Sequence, residues 1–119
     1  MNCSLCKSGF DFTMIGGDTE KIVFEAMNEY ANVADISGCT ATFSICRYDE
    51  RYSDMAIHIS DVLISNNAVI VNFKHEDTID LHGKYIWQLS IYEPNIKKLA
   101  SAQGSVTIFK NIDVRIVGD

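Results

Sequence analysis

The sequence predicts an all-β fold: an immunoglobulin-like antiparallel β-sandwich of about seven to eight strands, with no framework disulfide. Three observations carry this expectation. Short segments alternate apolar and polar residues with a period of two, turn residues separate them, and no helix-length segment repeats every 3.6 residues. Unequal strand lengths and connections favour a sandwich over its competitor, a closed barrel. The antibody-type order of Cys, Trp and Cys is absent, because Cys39 and Cys46 lie on or beside one strand and Trp87 follows both.

Residues 1–9 read as a loosely ordered segment and residues 10–117 as a single sandwich domain. Residues 10–15 form a short apolar stretch closed by the turn signal Gly16-Gly17-Asp18. In residues 20–27, Ile22, Phe24 and Ala26 share one face, as a half-buried strand requires. Residues 28–38 are polar and read as a long connection, with room for one helical turn. Residues 40–48 alternate again, with Ala41, Phe43 and Ile45 on the core side. A charged loop, 49–54, leads to a short strand carrying Ile57 and Ile59 inward. Residues 62–67 read as a turn, and 68–74 as a strand with Val69, Val71 and Phe73 inward.

An acidic turn around Asp77 and Asp80 then introduces the longest regular strand, where Tyr85, Trp87, Leu89 and Ile91 share a face. The only proline, Pro94, breaks that pattern. Residues 98–109 read as one strand interrupted by a bulge at Gly104, and residues 113–117 as a last short strand or a tail.

A chain of 119 residues accommodates one domain, burying roughly 65–70% of its unfolded surface. Ten Lys and Arg against sixteen Asp and Glu give a net charge of −6. That balance disfavours nucleic acid and anionic membranes as partners, since both call for a basic patch. No apolar run approaches the ~20 residues that span a bilayer. The first residues lack the apolar core of a secretory signal, so synthesis in the cytoplasm is expected, without secretion by a signal peptide.

The chemistry-bearing residues form no local signature. Cys3 and Cys6 have the spacing of half a zinc ribbon, with no second half in the chain. Ordinary thiols are the expectation, and a metal completed by another chain stays open. His58, His75 and His82 match no ligand spacing, and Gly16-Gly17 lacks the helix and lysine of a phosphate loop. No serine or cysteine sits in a nucleophile motif. The expectation is therefore no catalytic residue, no cofactor and no metal.

Tyr48, Arg51, Tyr52 and Tyr92, around the charged loop and the Pro94 break, are the candidate partner contacts. Trp87 belongs to the core face. Tyr85, just after Gly83, suits a tyrosine corner whose hydroxyl bonds upstream backbone.

The order of these features carries a resemblance. It runs from Phe12 and Gly17-Asp18-Thr19 through Ile22-Val23-Phe24 to the stretch from Asp35 to Ile45. It continues with the series from Asp77 through Leu81, Gly83, Tyr85, Trp87 and Leu89 to Ile91, then Gly104, Val106 and Ile108. The set resembles the immunoglobulin-like N-terminal domain of phage baseplate upper proteins, and similar small β domains of phage virion proteins. The resemblance implies a non-enzymatic structural or assembly module of a phage or prophage virion, in baseplate, tail or head. It would form homo-oligomers, contact other virion proteins, and move from the cytoplasm into the virion. Two other readings stand beside it. One is a small carbohydrate- or ligand-binding module using Tyr48, Tyr52 and Tyr92. The other is a host-directed inhibitor from a mobile element.

Overall fold

A computed structural model describes residues 11–26, 35–49, 56–95 and 98–112, with residues 98–100 described by their backbone alone. Eight strands and one short helix occur among them: β1 (Phe12–Ile15), β2 (Glu20–Glu25), β3 (Thr40–Arg47), β4 (Ile57–Ile59), β5 (Val62–Ser65), β6 (Ala68–Phe73), α1 (His75–Thr78), β7 (Gly83–Tyr92) and β8 (Lys98–Phe109). One sheet has the order β1-β8-β7-β3-β4 and the other β2-β6-β5. All neighbours are antiparallel except β1 and β8, which run parallel. The two sheets make an immunoglobulin-like sandwich, and its described cysteines, Cys39 and Cys46, are thiols.

The core is the set of inward positions that the period of two selects. Phe24, Val69, Val71 and Phe73 face across from Phe43, Ile45, Trp87, Leu89, Ile91, Val106 and Ile108, all nearly or fully buried. Aromatic rings dominate its centre. The Trp87 indole lies 5.2 Å from Phe24 in the opposite sheet and stacks on Phe43 at 5.7 Å, and Phe43 meets Phe73 edge-on at 5.7 Å. In antibody domains the second framework cysteine follows the corner tyrosine by two residues. Trp87 occupies that place after Tyr85, and its ring contact with Phe24 spans the sheets where a disulfide would.

Three sequence expectations are corrected. Residues 62–65 are not part of a turn but strand β5, joined to β6 by the two-residue turn Asn66-Asn67, with Asn66 at φ 55°. A two-residue hairpin needs positive φ, which asparagine tolerates. Gly104 is not a bulge: it stays in register with Trp87, and the register shift falls between Ile91 and Tyr92, close to the Pro94 break. The acidic segment is not only a solvated turn. It contains α1, whose Thr78 is fully buried, and Asp77 accepts from the Lys74 N–H at 2.8 Å. The connection 28–34, most of the charged loop and the segment 113–117 lie outside the described residues.

Where β1 begins, a side chain takes over from the ladder. The Asp11 carboxylate accepts from the Ser105 N–H at 3.0 Å. The Ser105 hydroxyl, then its N–H, and lastly the Lys84 charge hold this carboxyl below its ordinary value of 3.8, against slight desolvation. A lowered folded pKa means the contribution to stability is complete above 3.8 and is lost as pH falls through the folded value. An NMR titration should therefore place Asp11 below 3.8, and Ser105→Ala should move it back up.

Candidate functional site

The outer face of the five-stranded sheet carries a groove of about 420 Å³. Its floor follows from strand register. His58 on β4 pairs with Ser44 on β3, Ser44 with Gln88 on β7, and Gln88 with Gln103 on β8, so the four side chains form a row across the sheet. Hydrogen bonds run along this row. Ser44 Oγ and His58 Nδ1 share one of 2.6 Å, Gln103 Nε2 donates to Gln88 Oε1 at 2.8 Å, and Gln88 Nε2 donates to Ser90 Oγ at 3.2 Å. Ser90 is only 3% exposed although it lies on the outward side of β7. Thr42, Cys46 and Ile86 extend the floor, and Tyr92 stands at one end.

The groove's chemistry is that of neutral hydrogen bonding. Among the described residues its lining includes no Asp, Glu, Lys or Arg, on a chain of net charge −6. The Ser44–His58 pair has a nucleophile next to a base, but among the described residues no carboxylate bonds the imidazole to orient it, as hydrolytic triads require. No three His, Cys, Asp or Glu side chains among the described residues converge on a metal position.

A second surface lies on the other side of the sandwich. Val23 on β2 pairs with Ile70 on β6, which pairs with Leu63 on β5, giving an apolar row across the outer face of the three-stranded sheet. Val23 is 49% and Leu63 56% exposed. The sequence held a signal for this row that alternation alone passes over. In Ile22-Val23-Phe24, Val62-Leu63-Ile64 and Val69-Ile70-Val71 the middle residue is apolar where a half-buried strand would place a polar one. A smaller apolar pair, Ile15 and Phe109, sits in register at the far end of β1 and β8.

Of the four expected contact residues only Tyr48 and Tyr92 are described, and these two stand apart. Tyr48 and Tyr92 lie on the same outer face but at opposite ends of it, next to Lys84 and Thr40 respectively. Eight residues of strand separate Lys84 from Tyr92, roughly 27 Å, so the two rings bracket the groove rather than form a platform. Lys84 Nζ sits 4.3 Å above the Tyr48 ring. Arg51 and Tyr52, like Cys3 and Cys6, lie outside the described residues.

Trp87 is fully buried in the aromatic core. Gly83 opens β7 at φ 108°, a conformation in which a side chain would be strained, with open space around it. Tyr85 is buried, but its hydroxyl does not bond upstream backbone directly. Arg47, its cross-strand partner on β3, donates through Nη1 to the hydroxyl at 3.1 Å and through the same nitrogen to the His82 carbonyl at 3.4 Å. The guanidinium also lies 5.5 Å from the Tyr85 ring centre. Register explains the substitution: an arginine beside the tyrosine reaches the hydroxyl and the upstream carbonyl together. His75, part of no expected site, pins a turn instead, donating from Nδ1 to the Gly17 carbonyl at 3.1 Å.

No family model matches the chain, and no curated protein matches it. Among solved structures it is similar to the filamin domain of Lin-41, at 10% identity, with 84% of each chain covered and a TM-score of 0.48.

Proposed function

We propose that this domain is a non-enzymatic assembly module that works through protein–protein contacts, with a phage or prophage virion as the setting its resemblance implies. The observation that supports this best is the exposed apolar row Val23–Ile70–Leu63. Three side chains aligned across a sheet leave contiguous apolar surface in water, and covering it is favourable in proportion to area, about 25 cal/mol per Å².

The partner that best fits the row is a second copy of the chain. On β2, Lys21 and Glu25 share the outer face with Val23 and stand on either side of it, both exposed. A two-fold axis lying in the interface and perpendicular to the strands sets the Lys21 end of one copy against the Glu25 end of the other. The apolar rows then stack and both charges find partners. Other virion proteins would extend the assembly from further surfaces.

Solution mass measured by light scattering across a concentration series tests this. The chain should move from monomer toward a defined oligomer, and Leu63→Lys should hold it monomeric with its circular dichroism spectrum unchanged. A monomer at every concentration would contradict the reading.

A further inference from the structure

We propose that the groove on the five-stranded sheet is a binding site for a neutral saccharide, separate from the apolar row and on the opposite side of the sandwich. Hydrogen-bonding capacity left over by the internal network points to this ligand class. Each glutamine of the Gln103–Gln88–Ser90 chain uses one amide hydrogen within it, at 2.8 and 3.2 Å. A primary amide has two donor hydrogens and an oxygen with two lone pairs. One hydrogen on each amide and the Gln103 oxygen therefore remain to address a ligand. The donor and acceptor of one amide lie side by side, as do two adjacent hydroxyls of a sugar ring, each of which both donates and accepts.

The positions of these groups are fixed before a ligand arrives. Cross-strand register sets Gln88 beside Gln103, and Ser90, at 3% exposure, anchors the chain from within the sheet surface. Preorganised donors spare the ordering cost that weakens the capture of polar ligands. Tyr92, at one end of the groove, supplies an aromatic surface against which the apolar face of a sugar ring can lie. The volume, about 420 Å³, falls within the ordinary range for small-ligand sites.

Other ligand classes fit less well. Phosphorylated, sulfated or carboxylated ligands would call for a cation, and among the described residues the lining holds no Lys or Arg. An extended peptide is captured mainly by backbone pairing at a sheet edge. The groove runs mainly over β3 and β7, interior strands of the sheet, and reaches the edge strand β4 at His58. Side-chain amides and hydroxyls are what it offers, and those match a polyol.

The test is binding of neutral trisaccharides built on glucose, galactose, mannose and N-acetylglucosamine, followed by NMR shift perturbation on the whole chain. A sialylated trisaccharide and an uncharged glycine–serine peptide serve as comparisons. At least one neutral sugar should bind, shifting the Gln88, Gln103 and Ser44 signals. Gln103→Ala and Tyr92→Ala should each weaken that binding about tenfold or more, roughly 1.4 kcal/mol. Leu63→Lys should leave it unchanged, which separates this site from the assembly surface. Thermal melts of both groove variants confirm that the fold persists. The proposal is overturned if no neutral sugar binds, if only the charged sugar or the peptide binds, or if both groove variants bind as the parent does.

Discussion

Replacing Trp87 with alanine is expected to cost about 3–5 kcal/mol of folding free energy, the range for emptying a large aromatic site in a core. The indole is fully buried and touches both sheets, through Phe24 at 5.2 Å and Phe43 at 5.7 Å. Neither neighbour can close the gap alone, because each is held by a further ring: Phe24 by Phe43 at 6.0 Å, and Phe43 by Phe73 at 5.7 Å. A domain of this size has only about 5–15 kcal/mol to lose, so Trp87→Ala should be partly unfolded well below the parent's melting temperature. Urea denaturation checks this. The midpoint should fall with the slope preserved, as for a stability loss without a change in the unfolded state. A double-mutant cycle between Phe24 and Trp87 should add a coupling of about 0.5–1.5 kcal/mol, the excess that ring pairs show over area burial. A loss below ~1 kcal/mol for Trp87→Ala would show that the rings do not clamp the sheets.

The second large effect concerns Gly16. An added Cβ there would stand 2.7 Å from the Thr78 carbonyl oxygen and 3.1 Å from that of Leu81, both backbone atoms that cannot swing aside. The glycine is buried where the β1–β2 turn meets α1 and the end of β8. Gly17 N–H donates to Thr78 Oγ1 at 2.9 Å, Gly16 N–H to the Phe109 carbonyl at 2.9 Å, and Asn111 Nδ2 to the Gly16 carbonyl at 2.9 Å. Gly16→Ala must push α1 away or break these bonds, and overpacking of this kind costs about 1–3 kcal/mol. Gly38→Ala is the matched comparison, because nothing lies within 4 Å of its Cβ position and only its φ of 85° opposes a side chain. Gly38→Ala should cost about 1 kcal/mol. Thermal melts should rank Gly16→Ala as the more damaging, with the Thr78 amide shifted only in that variant. Equal losses would mean that the docking of the turn on α1 is not a tight fit.

Local period decided how much of this fold could be read from the sequence. The inward sets of β2, β3, β6 and β7 follow from alternation: Phe24, Phe43, Ile45, Val69, Val71, Phe73, Trp87, Leu89 and Ile91 are buried, and of these sets Ile22 and Ala41 are half-buried. Elements without a clear period leave no such mark in the sequence. Val62-Leu63-Ile64 is uniformly apolar over too few residues to show alternation, so its strand passed for a turn. α1 spans four residues, about one helical turn, too short for a 3.6-residue repeat to register.

Surface features depended on register, which no local pattern specifies. The His58–Ser44–Gln88–Gln103 row joins residues from four strands, and the Val23–Ile70–Leu63 row joins residues from three. Tyr48 and Tyr92 show the same lesson in reverse. Both stand out as aromatics near sequence breaks, yet 44 positions of chain separate them and the strands carry them to opposite ends of one face.

The most direct test of assembly through the three-stranded sheet is hydrogen–deuterium exchange at low and high protein concentration. On self-association the amides of β2, β5 and β6 around Val23, Leu63 and Ile70 should gain protection, while those of β3 and β7 beneath the groove exchange as before. Protection gained on β3 and β7 instead, with Val23, Leu63 and Ile70 unchanged, would contradict it.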